Sequence, residues 1–156
     1  MPKVIYTPSK GLYQARGGGV DLSVSDGGVV WRKNVIDGSG GNVTLTSADS
    51  GSVVFVSGGA RTVNLPTVAA AEAGWEINVY AASAHAHVLQ SGTDDILQGC
   101  NIDGGNGSTV AYAPITNQDK VTLANPRIGD RFDVWCDGTN FHVTVITSDT
   151  ASLATA

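Results

Sequence analysis

Short runs of alternating apolar and polar residues, broken by Gly, Asp and Asn, dominate the chain from Asn42 to Val145. Alternation with period two marks a strand with one face buried. On this basis strands are expected near 42–46, 51–57, 61–65, 75–81, 85–90, 108–113, 119–123, 130–136 and 140–147. Asp137-Gly138 is the strongest hairpin signal and should join the last two. Pro66–Gly74 is the one helical candidate: proline opens it, alanines fill it and glycine closes it. Many short strands with turn residues between them predict an all-β fold, a β-sandwich or jelly-roll-like barrel. No repeat of fixed period is visible, which argues against a solenoid.

Residues 1–41 have a different texture. Short β-prone pieces, Lys3–Tyr6, Val20–Val24 and Val29–Ile36, alternate with glycine clusters. Such a segment cannot close a core alone, so it reads as an extended N-terminal arm packing on a neighbour. The expected organisation is an arm over 1–41, a β-sandwich domain over 42–147 and a flexible C-terminal tail over 148–156.

Composition narrows the function. The 156 residues carry 9 Lys plus Arg and 14 Asp plus Glu, a formal charge of −5. Without a basic cluster, phosphate neutralisation and hence nucleic-acid binding is not expected. No apolar run approaches a bilayer span, and the N-terminus lacks the pattern of a signal peptide. A cytoplasmic product with free Cys100 and Cys136 is the expectation. Only 15% of residues are charged, so the surface relies on Ser, Thr, Asn and Gly or is partly buried against other chains.

Catalytic patterns are missing. No Gly-x-Ser-x-Gly elbow occurs, and the glycine runs lack the lysine of a phosphate loop. Asp94-Asp95 reads as a turn. His85 and His87, two apart on a strand, are the low-probability metal pair, with His142 the only other histidine to complete it. The expectation is therefore a non-enzyme without cofactors. Trp75 and Trp135 are assigned to the main core, and Trp31 to an intersubunit contact. Sugar stacking on an exposed Trp or on Tyr80 is the competing use of the aromatics.

Leu45–Gly51 (Leu-Thr-Ser-Ala-Asp-Ser-Gly), Val63–Pro66, Gly74–Val79, Gly92–Gly99 and Gly129–Val143, ending in Asp137-Gly-Thr-Asn-Phe, together resemble a module of tailed-phage virion proteins. The opening Pro-Lys-Val-Ile-Tyr-Thr-Pro and Gly11-Leu-Tyr-Gln are similar to the N-termini of phage head decoration (cement) proteins. The resemblance implies a homotrimer, made in the host cytoplasm, that binds the major capsid protein on the outer capsid surface of the virion and stabilises the head. Lys3, Val4, Ile5, Tyr6, Leu12, Tyr13 and Trp31 become the expected capsid or intersubunit contacts, and the Asp94–Gly99 and Asn101–Gly107 segments become solvent-facing loops. Longer relatives of the module imply the alternative, a receptor- or carbohydrate-binding head or tail fibre module.

Overall fold

Strand follows strand, with one short α-helix among the described residues, in a computed structural model of the chain. The structure describes residues 4–7, 11–14, 33–92, 96–104, 111–148 and 153–155, with 4–7, 11–14, 111–112 and 153–155 described as strand backbone. Two compact units divide between Arg32 and Lys33. In the first, β1 (Val4–Thr7) and β2 (Gly11–Gln14) form an antiparallel pair that sets Ile5 opposite Tyr13 and Tyr6 opposite Leu12.

The second unit is a two-sheet sandwich. Its first half winds between the sheets. β3 (Val35–Asp37), β5 (Val53–Val56) and β7 (Glu76–Ala81) lie parallel in one sheet. β4 (Val43–Thr44), β6 (Arg61–Asn64) and β8 (His87–Gln90) lie parallel in the other. This is solenoid-like winding, contrary to the sequence expectation. The rungs are unequal: Val35 stands beside Val53, but Val53 stands beside Asn78, because the second rung also holds α1 (Val68–Ala71). Unequal rungs leave no fixed period to detect in the sequence.

The second half closes the sandwich with mainly antiparallel strands. β9 (Leu97–Asp103) lies between β10 (Ala111–Gln118) and β13 (Phe141–Thr147), antiparallel to the first and parallel to the second. β12 (Arg131–Cys136) and β13 form a hairpin, and β12 also pairs with β7. The seven-stranded order is β10-β9-β13-β12-β7-β5-β3. β11 (Lys120–Leu123) and β14 (Leu153–Thr155) complete a five-stranded sheet in the order β14-β11-β8-β6-β4. Thus β3 lies within the segment expected to be an arm, and β14 within the expected tail.

The Asp94–Gly99 and Asn101–Gly107 segments are not simply solvent loops. Leu97–Asp103 is a strand inside the large sheet, with Leu97, Asn101 and Asp103 buried. Gly, Asn and Asp in this stretch mimic loop composition, while pairing on both sides overrides weak local β-propensity. Gly99 has φ +147, and a Cβ there would overlap the Val143 carbonyl oxygen across the parallel pair.

One core joins the sheets. Val54, Ile77, Val79, Phe132, Val134, Phe141, Val143 and Val145 meet Val63, Leu65, Leu89, Val121 and Leu123 in a single buried cluster. Each such side chain contributes about 1.5–3 kcal/mol on burial. Alternation places these residues inward, as the sequence pattern requires.

The Leu45–Gly51 stretch is the corner between β4 and β5. Leu45 is buried, and Ser47–Asp49 make one 3-10 turn. The Asp49 carboxylate accepts from the Thr46 backbone N–H at 2.7 Å and from its hydroxyl at 2.8 Å. Gly51, at φ +77, donates its N–H to Glu76 O at 2.8 Å, and the Trp75 indole N–H donates to Thr46 O at 3.2 Å. The corner therefore locks the second rung to the third. No helix among the described residues is long and apolar enough to cross a membrane.

Candidate functional site

The outer face of the seven-stranded sheet is built from the strand positions that alternate with the core. Its registers define three transverse rows. Phe55, Tyr80, Arg131, Ile146 and Ile102 form one. Val35, Val53, Asn78, Asp133, Thr144 and Cys100 form the next. Glu76, Trp135, His142 and Gln98 form the third.

Exposed apolar side chains concentrate here. Val35 is 62% exposed, Trp135 51%, Phe55 41% and Ile102 39%; among the described residues the one other large apolar side chain so exposed is Ile128, in the loop before β12. Scattered exposed apolar residues need no explanation, but gathering on one face marks a contact surface.

Trp135 is thus not a core residue. Phe132, Val134 and Cys136 point inward on β12, so Trp135 must point outward. Trp75, by contrast, is buried and meets Phe141 edge-on at 5.8 Å between ring centroids. The Trp135 ring stacks on His142 at 4.5 Å and 17°. His142 Nε2 lies 2.7 Å from Asp137 Oδ2. Asp137 Oδ1 accepts from the backbone N–H groups of Thr139 and Asn140, both at 2.7 Å. The hydrogen bond from His142, followed by those from Asn140 and Thr139, lowers the Asp137 carboxyl to about 2. The Asp137-Gly138 turn predicted from sequence therefore does two things. It reverses the chain, with Gly138 at φ +93, and it fixes the ring beside Trp135.

A second station lies along the face. Phe55 stacks on Tyr80 at 5.6 Å and 26°, and the Arg131 guanidinium sits 5.8 Å from the Tyr80 centroid. Arg131 Nε donates to Asp133 Oδ2 at 2.9 Å, which raises the Arg131 pKa further. Asn78 donates to Asp133 Oδ1 at 2.8 Å, and Lys33 donates to Asn78 Oδ1 at 2.9 Å. These bonds tie Arg131 and Lys33 to Asp133 and Asn78 of the middle row.

The histidines do not assemble a metal centre. His85 lies in a bend before β8, while His87 opens β8 and is 0% exposed. Ser83 Oγ lies 3.3 Å from His87 Nε2 and 3.4 Å from His85 Nδ1. His142 is committed to Asp137 on the outer face of the other sheet. Among the described residues, no group of three or more His, Cys, Asp or Glu is placed to hold a metal ion. Burial pushes the His87 pKa down against a hydrogen bond to the Ser83 backbone, and His85 and Arg61 nearby add to the lowering. Its Nδ1 has no hydrogen-bond partner. Cys100 and Cys136 are both free thiols.

Of the expected contact residues, Lys3 and Trp31 lie outside the described residues, as do Asp94 and Asp95. Val4, Ile5 and Tyr6 lie on β1, and Leu12 and Tyr13 on β2, so these five share one hairpin. A pocket of about 380 Å³ also opens between the Leu45–Gly51 corner and α1, where Ser47, Ser50, Glu72 and Trp75 line it. Sequence reasoning missed Phe55 and Trp135 as surface residues, although strict alternation along β5 and β12 was the signal for both. No family model matches this chain and no curated protein matches it, so the outer face is interpreted from its own geometry.

Proposed function

We propose that this chain is a structural protein that works by assembly, a capsid decoration (cement) protein of a tailed phage. In this reading it is a homotrimer, made in the host cytoplasm, that sits on the outer capsid surface and braces the major capsid protein. It performs no catalysis. The supporting observation is the gathering of exposed Val35, Phe55 and Ile102 on one broad sheet face. A rigid, half-apolar sheet face suits docking to a large protein surface. The resemblance in the Leu45–Gly51 and Gly129–Val143 stretches supplies the identity of the partner. The β1–β2 pair supplies further contacts, and an extended hairpin can add to a partner's sheet edge.

The test is absolute mass by light scattering, followed by co-sedimentation with undecorated capsids of the encoding phage. A salt-resistant trimer that co-sediments is the expected result. Deleting residues 1–15 should abolish co-sedimentation and leave the second unit folded. A monomer, or unchanged binding by the deletion, would overturn the assembly mode and the hairpin assignment respectively. A second reading, a carbohydrate-binding head or tail fibre module, draws support from one observation, the polar surroundings of Trp135.

A further inference from the structure

We propose that Trp135, with Glu76 and His142 on either side of it, forms a saccharide-stacking site. An uncharged sugar ring lies against the indole face turned away from His142, and its hydroxyls bond to the flanking Glu76 carboxylate. The proposal rests on the second reading given above and supplies its site.

The geometry carries it in three steps. First, Trp135 stands on β12, the fourth of seven strands, with β7 and β13 paired on either side. A tryptophan on the outer face of an interior strand has no covering element among the described residues of the second unit, and 51% of it is exposed. Second, the ring is pre-organised. His142 covers the side toward β13 at 4.5 Å and is held in turn by Asp137, itself fixed by two backbone N–H groups. A ring already immobilised loses little conformational freedom when a ligand lands on it. The side toward β7 is bordered by exposed Glu76. Third, the row differs from the opposite one. That row is mainly apolar, with Phe55, Tyr80, Ile146 and Ile102 beside Arg131. Beside Trp135 the side chains are planar hydrogen-bonding groups, the Glu76 carboxylate and the His142 ring, and beyond His142 the Gln98 amide donates to Asn117 Oδ1 at 3.2 Å.

This combination selects the ligand. The indole face accepts the apolar C–H face of a sugar, and a planar carboxylate pairs with hydroxyls. A nucleobase would stack equally well, but its phosphates would meet Glu76 and Asp137 on a chain of formal charge −5. A peptide strand would seek free backbone groups, and both edges of β12 are already paired.

Calorimetric titration of the full-length protein with N-acetylglucosamine, galactose, maltose and cellobiose, alongside an immobilised glycan array, tests it. At least one sugar should bind the wild type. Trp135→Ala should weaken that sugar about tenfold or more, the loss of one aromatic stacking contact. Trp135→Phe should retain part of the binding, and Glu76→Gln should weaken it with no change in melting temperature. Absence of binding to every sugar and array glycan would overturn the proposal, as would equal binding by Trp135→Ala. The capsid reading is tested separately: Trp135→Ala should keep its trimer mass and its co-sedimentation. Loss of those two properties would assign Trp135 to a protein contact and overturn the saccharide site.

Discussion

His87 shows how one side chain can set the pH response of a fold. Its ring is 0% exposed and Nδ1 has no partner. Burial, the largest influence, lowers its pKa in the folded state below the ordinary value of about 6.5. The unfolded chain therefore binds the proton more readily. Stability is fully present above about pH 6.5 and falls as the pH drops from there toward the lower folded-state value. One such group contributes a slope of at most about 1.4 kcal/mol per pH unit. Thermal unfolding should show a lower melting temperature at about pH 5 than at about pH 7.5. His87→Leu should flatten that difference; an unchanged difference would place the acid sensitivity elsewhere. Asp137 has its carboxyl lowered to about 2, so its contribution is present above the ordinary carboxylate range and is lost progressively as the pH falls from that range through about 2. Gly99 presents a different constraint. A side chain there overlaps the Val143 backbone, and φ +147 is a conformation that side chains resist. Gly99→Ala should destabilise the protein by about 3 kcal/mol or more, measured by denaturant unfolding. A cost under about 1 kcal/mol would mean that β9 and β13 separate easily.

At the scale of elements, the corner from Thr46 to Gly51 is the joint on which the winding depends. Asp49 satisfies both the N–H and the hydroxyl of Thr46, and the Thr46 carbonyl receives the buried Trp75 indole N–H. Asp49→Ala leaves these two donors without their acceptor and should cost about 1 kcal/mol. Asp49→Asn should recover part of that loss, because its amide oxygen still accepts. Equal losses in the two variants would show that the negative charge matters more than the acceptor. The β12–β13 hairpin was plain in the sequence, since Asp137-Gly138 follows one alternating run and precedes another. The short helix was also plain, and Thr67 caps it by accepting from the Ala70 N–H at 3.3 Å. β9 was not legible. Gln98, Gly99 and Asn101 carry weak strand preference, and only pairing with β10 and β13 makes them a strand.

At the scale of the whole second unit, the two sheets divide the labour. The interior holds one core, and the outer face of the larger sheet is left with aromatic stations in a polar frame. Replacing both Val35 and Phe55 by Ser removes apolar surface without touching the core cluster. The double variant should melt within a few degrees of the wild type, yet show weaker self-association or capsid co-sedimentation. Unaltered assembly would move the contact away from this face.

The amino-acid order alone established the all-β character, most strand positions, the hairpin at Asp137-Gly138 and the scarcity of catalytic patterns. These follow from local rules: alternation, turn chemistry and composition. The three-dimensional arrangement alone decided which sheet each strand joins, that the first half winds in parallel rungs, and that β9 lies inside a sheet. It also settled His87 as buried and Trp135 as exposed. Alternation gives every strand two faces but does not name the neighbours that cover one of them. That choice is made by pairing between distant segments, such as β3 with β5 or β9 with β13, and the unequal rungs erase the period that would have announced it.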